Sequence, residues 1–303
     1  MAEPDLKLPR IDYREVIWSI GIYTGESLSD LGPAVDAVNP VVTAESVLDL
    51  KASFVADPFM IKVDDVWYMF FEVMSAETDM GKIGLAVSKN GIQWEYRQIV
   101  LDEPFHLSYP HVFQFDGNFY MLPESHEAGS LRLYRADSFP AKWSPVSTLL
   151  QGPWIDSSLL FFDDLWWLFT NIVVNRIESL ELFYAAHLTG PWHRHLKSPL
   201  AKGDLRIARM AGRVIVNDSL PIRFSQDGLP YYGTAVRAFE ISVLNTSLYA
   251  EHELDGSPVL AAGKMAWHKL GMHHIDPHFI NGAWLVCVDG WCVKAKYAAG
   301  QEV

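Results

Sequence analysis

Only two cysteines occur among the 303 residues, Cys287 and Cys292, so neither a disulfide-dense scaffold nor a four-cysteine zinc site is available. They flank Val288-Asp289-Gly290-Trp291. An Asp-Gly turn there would set them opposite each other across a hairpin, as small strand residues, a cross-strand disulfide or a metal pair. No run of 18 apolar residues exists, which excludes a membrane-spanning helix. The opening residues, Met1-Ala2-Glu3-Pro4-Asp5-Leu6-Lys7, lack the charged-then-apolar pattern of a secretory leader, and the chain reads as cytoplasmic. Basic charge is scarce: 24 Lys and Arg against 37 Asp and Glu leave a net charge of -13, which argues against a nucleic-acid partner. Apolar patterning at the helical period is almost absent. What abounds is apolar and aromatic residues, at 50% and 13% of the chain, enough for a large core.

Those residues recur in a pattern. A small polar or acidic residue opens an apolar strand, a tight turn follows, and an aromatic pair opens the return strand. The copies are Ala56-Asp57-Pro58 with Trp67-Tyr68, Tyr109-Pro110-His111 with Phe119-Tyr120, Ile155-Asp156-Ser157 with Trp166-Trp167, and Ile275-Asp276-Pro277 with Ala283-Trp284. A weaker copy pairs Met210-Ala211-Gly212 with Leu220-Pro221. Two further strands follow each full copy, and Trp94, Trp143 and Trp192, which open the outermost strand, are spaced by 49 residues. Four short strands per unit at a period near 50 describe a β-propeller blade.

The expected fold is therefore all-β: a single five-bladed propeller over 1–303, with blades at about 52–101, 107–150, 154–200, 205–260 and 272–299. Turns are expected at Asp64-Asp65, Asp116-Gly117, Asp163-Asp164, Asn217-Asp218 and Asn281-Gly282. The fifth blade, with strands at Asp276 to Ile280, Trp284 to Val288 and Trp291 to Tyr297, lacks its outer strand. Residues 16–45, through the apolar stretch Trp18 to Tyr23, are expected to complete it and close the ring without an open edge.

In a blade, the start of the first strand and the end of the second emerge on one face. There the repeat places Asp57, His111, Asp156, Gly212 and Asp276 as an inner ring, and the second strands add Glu72, Glu124, Asn171, Gln226 and Asp289. Carboxylates crowded around a narrow channel push one another's pKa apart, so a neutral acid and an ionised base coexist, as cleavage of a glycosidic bond requires. Asp57, Glu124, Asp156 and Asp276 are the catalytic candidates; Glu72, His106, Tyr109, His111, Trp154, Arg209, His274 and Asp289 are the substrate-binding candidates. Duller roles stand beside these. An Asp before Pro also caps a turn, and Glu72 or Glu124 could pair with Arg209 or Arg213. The histidines His106, His111, His126, His273, His274 and His278 fit turns, acid/base work or a divalent cation in the channel, although no cofactor is required. Tyr109 and Trp154 are placed to stack on a sugar, while Trp67, Trp166, Trp167 and Trp284 pack between blades.

Ala56-Asp57-Pro58-Phe59-Met60, Leu107 to Phe113, Met121-Leu122-Pro123-Glu124 and Leu131 to Ala136 resemble the N-terminal domain of plant glucosamine inositolphosphorylceramide transferases and their bacterial relatives. Ile155 to Ser158, Ala208 to Arg213 and His273 to His278 extend the resemblance, which runs from about Trp18 to Asp289. More distantly, the layout is similar to the five-bladed glycoside hydrolases of families 43 and 32. That likeness implies an Asp on blade one as base or nucleophile, an Asp on blade two that tunes pKa, and a Glu on blade three as acid. Asp57 matches the first role, Pro110-His111 stands at the second with Glu124 in the same blade, and Asp156 stands at the third.

The reading that results is a carbohydrate-active enzyme acting on a glycosidic bond of a small saccharide or glycoconjugate, by hydrolysis or transfer. Asp57 would be the base or nucleophile and Asp156 or Glu124 the proton donor, with Asp276 and His274 holding the sugar. The alternatives are a carbohydrate-binding propeller and a biosynthetic enzyme that reuses the same pocket.

Overall fold

The computed structural model describes residues 11–12 and 15–294. Five antiparallel sheets follow one another around a central channel as the blades of a propeller. Blade one is Ala52–Val63, Val66–Ser75, Gly81–Ser88 and Glu95–Leu101, in sheet order. Blade two is Ser108–Phe115, Asn118–Glu124, Ser130–Ser138 and Lys142–Gln151. In blade three, Ile155–Phe162, Leu165–Val174 and Ile177–Ala185 are full strands, and the outer strand shrinks to His193–Arg194. Blade four is Ile215–Asn217, Leu220–Asp227, Ala235–Leu244 and Tyr249–Glu253. Among the described residues, no helix is long and apolar enough to cross a membrane.

The hairpins follow from their turn residues. Asp116-Gly117, Asp163-Asp164 and Asn281-Gly282 have positive φ at both positions, the geometry whose twist matches a two-residue hairpin. The fourth turn is Asp218-Ser219, one residue beyond the expected Asn217-Asp218, because Asn217 still pairs with Leu220. Trp94 and Trp143 do what their spacing suggests: each indole Nε1 donates to the carbonyl three residues earlier, closing the turn into the outer strand.

Blade five corrects two expectations. Its second strand does not turn at Asp289-Gly290 but runs unbroken as Ala283–Val293. Cys287 and Cys292 therefore lie on one strand, opposite Ile22 and Ile17, and both are free thiols. The N-terminal strand Val16–Gly25 is the third strand of the blade, not the outermost; Gly32–Pro33 takes the outer place. Ten consecutive residue pairs join Val16–Gly25 to Ala283–Val293 and close the ring. The expected strand Trp291 to Tyr297 continues beyond the described residues from 295 onward.

Large side chains pack where blades meet. Trp67, Trp166, Trp167 and Trp284 are buried, as expected of interblade aromatics. Phe59, Phe70, Tyr109, Trp143, Trp167 and Phe169 belong to one core that runs across blades one to three. Truncating one such aromatic to Ala costs about 3–5 kcal/mol, so each contributes heavily to holding the blades together.

Candidate functional site

Three inner strands share a distortion that turns one residue of each toward the channel. The ladder slips between Ala56 and Phe59, between Ser108 and His111, and between Ile155 and Ser158. In each bulge the first extra residue takes the left-handed conformation: Asp57 at φ 53, Tyr109 at φ 46 and Asp156 at φ 44. Asp tolerates this region better than most residues, and a bulge redirects its side chain. The blade-two counterpart of Asp57 and Asp156 is thus Tyr109, not His111. Blade five has no bulge: Ile275 and Asp276 pair in unbroken register with Val288 and Cys287. The matching Asp-Pro dipeptides therefore point to different places. In blade four the opening is Gly212, at φ 141, and a Cβ there would lie 1.7 Å from the Ile275 carbonyl oxygen. That close approach explains why no acid stands at the fourth opening.

The result is two layers. The outer one is a funnel of about 200 Å³ lined by Trp18, Phe54, Ala56, Asp57, Glu72, His106, Ser108, Glu124, Asp156, Arg209, Tyr232 and His273. Larger grooves exist. One of about 560 Å³ runs between the outer parts of blades four and five, past Glu26, His252 and Trp284, away from the channel. The funnel is the better candidate because it gathers the acids. A neighbouring groove of about 440 Å³ shares Arg209 and Tyr232 with it and extends past Pro230 and Val173.

Each acid in the funnel has its own partners. Arg209 Nε donates to Asp156 Oδ2 at 2.6 Å, and Gln226 Nε2 donates to the same oxygen at 3.0 Å. Glu124 accepts the Asp156 backbone N–H at 3.1 Å and lies 2.6 Å from His126 Nδ1. His106 Nδ1 accepts the Gly81 N–H, so in the neutral ring Nε2 carries the proton; it lies 3.4 Å from Glu72 Oε1. Asp289 is a clamp: Oδ1 accepts from the backbones of His273 and His274 and from His273 Nδ1, and Oδ2 accepts the Asp57 N–H.

The electrostatics divide these carboxyls. Burial, and then the charges of Asp57, Glu124 and Asp156, hold Glu72 well above the usual carboxylate range. Burial also dominates at Asp156, where Glu124 and Asp57 add to it and Arg209 partly offsets it, leaving the pKa raised. At Asp57 burial is outweighed by His274, His273 and Arg209, and the pKa falls. At Glu124 burial is outweighed by His126 and Arg209, with the same outcome.

The inner layer lies three residues further along the strands. Asp276 accepts the Met60 N–H at 2.7 Å and Arg213 Nε at 2.7 Å, with His278 Nε2 at 3.0 Å. Burial opposes its ionisation, but Arg213 and His278 hold its pKa far below the usual carboxylate range. His111 accepts the Leu159 N–H on Nδ1, and burial followed by the Arg213 charge keeps it neutral.

The structure thus sorts the candidates from sequence. Asp57, Glu72, His106, Glu124, Asp156 and Arg209 meet in the funnel. Asp276 and His111 belong to the inner layer, because blade five lacks the bulge and His111 follows rather than fills one. Tyr109 is fully buried and cannot stack on a ligand; its hydroxyl donates to the Gly212 carbonyl and accepts the Gly212 N–H, pinning blade two to blade four. Trp154 packs edge-on against Phe183 and donates to the Gln151 carbonyl, outside the funnel lining. His274 sits below Asp57, and Asp289 works behind His273. Six lining residues were not among the catalytic or substrate-binding candidates, three of them with aromatic rings close to the acids. Trp18 arrives on the closing strand, Tyr232 on a loop with no motif, and His273 adjoins His274 in a histidine pair that was visible from the start.

Known proteins share the sequence family and the fold of this chain. Residues 11–291 match the family described as glucosamine inositolphosphorylceramide transferase 1, N-terminal. The chain is 36% identical over 295 residues to the Oryza sativa subsp. japonica glucosamine inositolphosphorylceramide transferase 1, covering 90% of this chain and 40% of that protein. The Arabidopsis thaliana protein of the same name is also 36% identical over 295 residues, covering 90% and 39%. The chain therefore spans about 40% of the length of the curated relatives it matches. Among solved structures, a thermostable family-43 glycoside hydrolase shares the fold with a TM-score of 0.59 at 15% identity, covering 88% of this chain and 98% of that one. On the match over nearly its whole length, the chain belongs to the glucosamine inositolphosphorylceramide transferase 1 N-terminal family.

Proposed function

We propose that the funnel is the active site of a carbohydrate-active enzyme that works on a glycosidic bond. The observation that carries this reading is the gathering of buried carboxyls in one cavity, where burial and neighbouring acids push the Glu72 pKa well above the usual carboxylate range while the Asp57 pKa is lowered. A glycosidic bond breaks when an acid protonates the leaving oxygen and a carboxylate acts from the other side. Glu72, steadied by His106, is the proton donor. Asp57 is the base or nucleophile. Asp156, fixed by Arg209 and Gln226, orients sugar hydroxyls, and Trp18 and Tyr232 offer aromatic surface at the walls. The names of the plant relatives and the fold shared with a family-43 hydrolase support a sugar substrate. The groove past Pro230 gives that substrate room to extend.

A panel of aryl furanosides and pyranosides tests this, with and without acceptor sugars. Turnover that falls about 10²–10⁴-fold in Glu72→Gln, at nearly constant KM, is the expected result. A carbohydrate-binding propeller is the second reading. It is favoured by the protein donors that already occupy Glu124, Asp156 and Asp289. Glycan binding that persists in Asp57→Asn, with no turnover in either protein, would decide for it.

A further inference from the structure

Arg209 stands between two cavities. On one side is the funnel. On the other is the groove of about 440 Å³, a little over twice the funnel's 200 Å³, which reaches past Val173 and Pro230. The guanidinium has a carboxyl on each side. Its Nε donates to Asp156 Oδ2 at 2.6 Å, and its Nη1 lies 3.6 Å from Glu178 Oε1 in the groove. The Tyr232 ring covers the same guanidinium, with Cζ 5.1 Å from the ring centroid.

Two of the residues that line this groove carry a buried acceptor with no hydrogen-bond partner. One acceptor is Glu178 Oε1, which Arg209 faces from too far away for a hydrogen bond. The other is Gln226 Oε1. Turning the Gln226 amide around would not help, because Nε2 already donates to two acceptors, Asp156 Oδ2 at 3.0 Å and the Met210 carbonyl at 2.9 Å. Gln226 is only 2% exposed and Glu178 9%, so bulk water does not satisfy them. Buried acceptors left unpaired are costly, and two along one groove call for donors from outside the chain.

We propose that the groove is a second sugar subsite, in which hydroxyl groups of one unit of an oligosaccharide donate to Glu178 and Gln226 while the adjoining unit occupies the funnel. The substrate is then a chain of at least two sugar units that crosses from funnel to groove over the Arg209–Tyr232 pair. Hydroxyls suit this lining because each both donates and accepts: they give protons to the two free acceptors and take hydrogen bonds from Arg209. The rest of the wall suits the C–H face of a sugar ring, since Val173, Leu205 and Leu229 are each roughly half exposed there. A mostly apolar wall with a few convergent polar groups is the make-up of a small-molecule site.

Blades three and four supply the two walls. Val173 and Glu178 pair across a hairpin whose turn, Asn175-Arg176, has positive φ at both positions. Opposite them, the Gly228 N–H donates to the Leu205 carbonyl at 2.8 Å and ties together the two loops that carry Leu205 and Leu229. This assignment rests on the funnel taking a sugar, and it holds whether the protein cleaves, transfers or only binds.

Calorimetric titration of the full chain with methyl glycosides of glucose, galactose, mannose and glucosamine, each as mono-, di- and trisaccharide, provides the test. For the sugar that binds, the disaccharide should bind at least about 10-fold more tightly than the monosaccharide, the gain that one hydrogen bond to a charged group supplies. Glu178→Ala should remove that gain. So should Leu229→Trp, which fills the groove from an exposed position and keeps the test valid if the buried Glu178 variant misfolds. No gain from the second unit in the wild type, or a gain that survives both substitutions, would overturn the subsite. Monosaccharide binding, or turnover of aryl monosaccharides, alongside either result would leave the funnel reading standing. Neither binding nor turnover of any sugar would sink both.

Discussion

The channel holds two charged layers with opposite balances. In the inner layer a single carboxylate, Asp276, meets Arg213, His278 and the Met60 N–H. In the funnel, Asp57, Glu72, Glu124 and Asp156 share Arg209. A carboxylate with an arginine of its own is a fastener. Acids that outnumber their arginines raise one another's pKa, as at Glu72 and Asp156. Pairing ratio, more than burial, separates the two layers, because both are buried.

The sharpest break between them is Asp276→Asn. Removing one partner of a buried ion pair leaves the other uncompensated, and stability should fall by about 3–5 kcal/mol in denaturant titrations. Turnover per folded molecule should change little. An equal loss of both would show that the inner layer belongs to the active site.

Glu72→Gln should act in the opposite sense. In the fold Glu72 keeps its proton above the pH at which the unfolded chain releases it. Its contribution is therefore fully present below about pH 4.5 and is lost as pH rises toward the folded value. The slope is up to about 1.4 kcal/mol per pH unit. The Gln variant should match or exceed wild-type stability at pH 8 and lose the slope, while turnover collapses. Melting curves from pH 4 to 9 will show this.

His126→Ala is the gentlest probe. The Glu124 contact raises the His126 pKa, so this contribution is present below about pH 6.5 and fades as pH climbs through the raised value. Because the ring is 37% exposed, solvent screens the pair and stability should drop by less than about 1 kcal/mol. The clearer readout is the Glu124 carboxyl itself, whose pKa should rise in an NMR titration once the ring that lowers it is gone.

The blade pattern was legible because its cause is local. Alternating apolar strands, Asp-Gly and Asp-Asp turns and the Trp spacing each carry their own geometry, and the structure repeats them. Asp57 and Asp156 were legible for the same reason, each opening a copy of the repeated motif. What escaped was register. A single-residue bulge decides whether Asp57 and Asp276, both followed by proline, face the same layer, and nothing in an Asp-Pro dipeptide announces a bulge. Tyr109 escaped in a similar way, since it fills the bulge position of blade two and uses its hydroxyl as a cross-channel pin. The raised pKa of Glu72 depends on burial and then on the charges of Asp57, Glu124, Asp156 and Asp289, which gather fully only once the ring has closed. The Cys287 and Cys292 hairpin failed because the closing strand Val16–Gly25 offers Asp289-Gly290 a full ladder to continue.

That closing strand also fixes an order of events. Among the described strands, Val16–Gly25 leaves the ribosome first and its partner Ala283–Val293 last. Trp18 waits on the first of these strands, while His273 and Asp289 arrive with the last blade. Four blades can be assembled while the funnel still lacks a wall and the clamp behind Asp57. A chain interrupted before residue 283 would fold much of its mass and have no site, so the funnel is completed only once the fifth blade has been made.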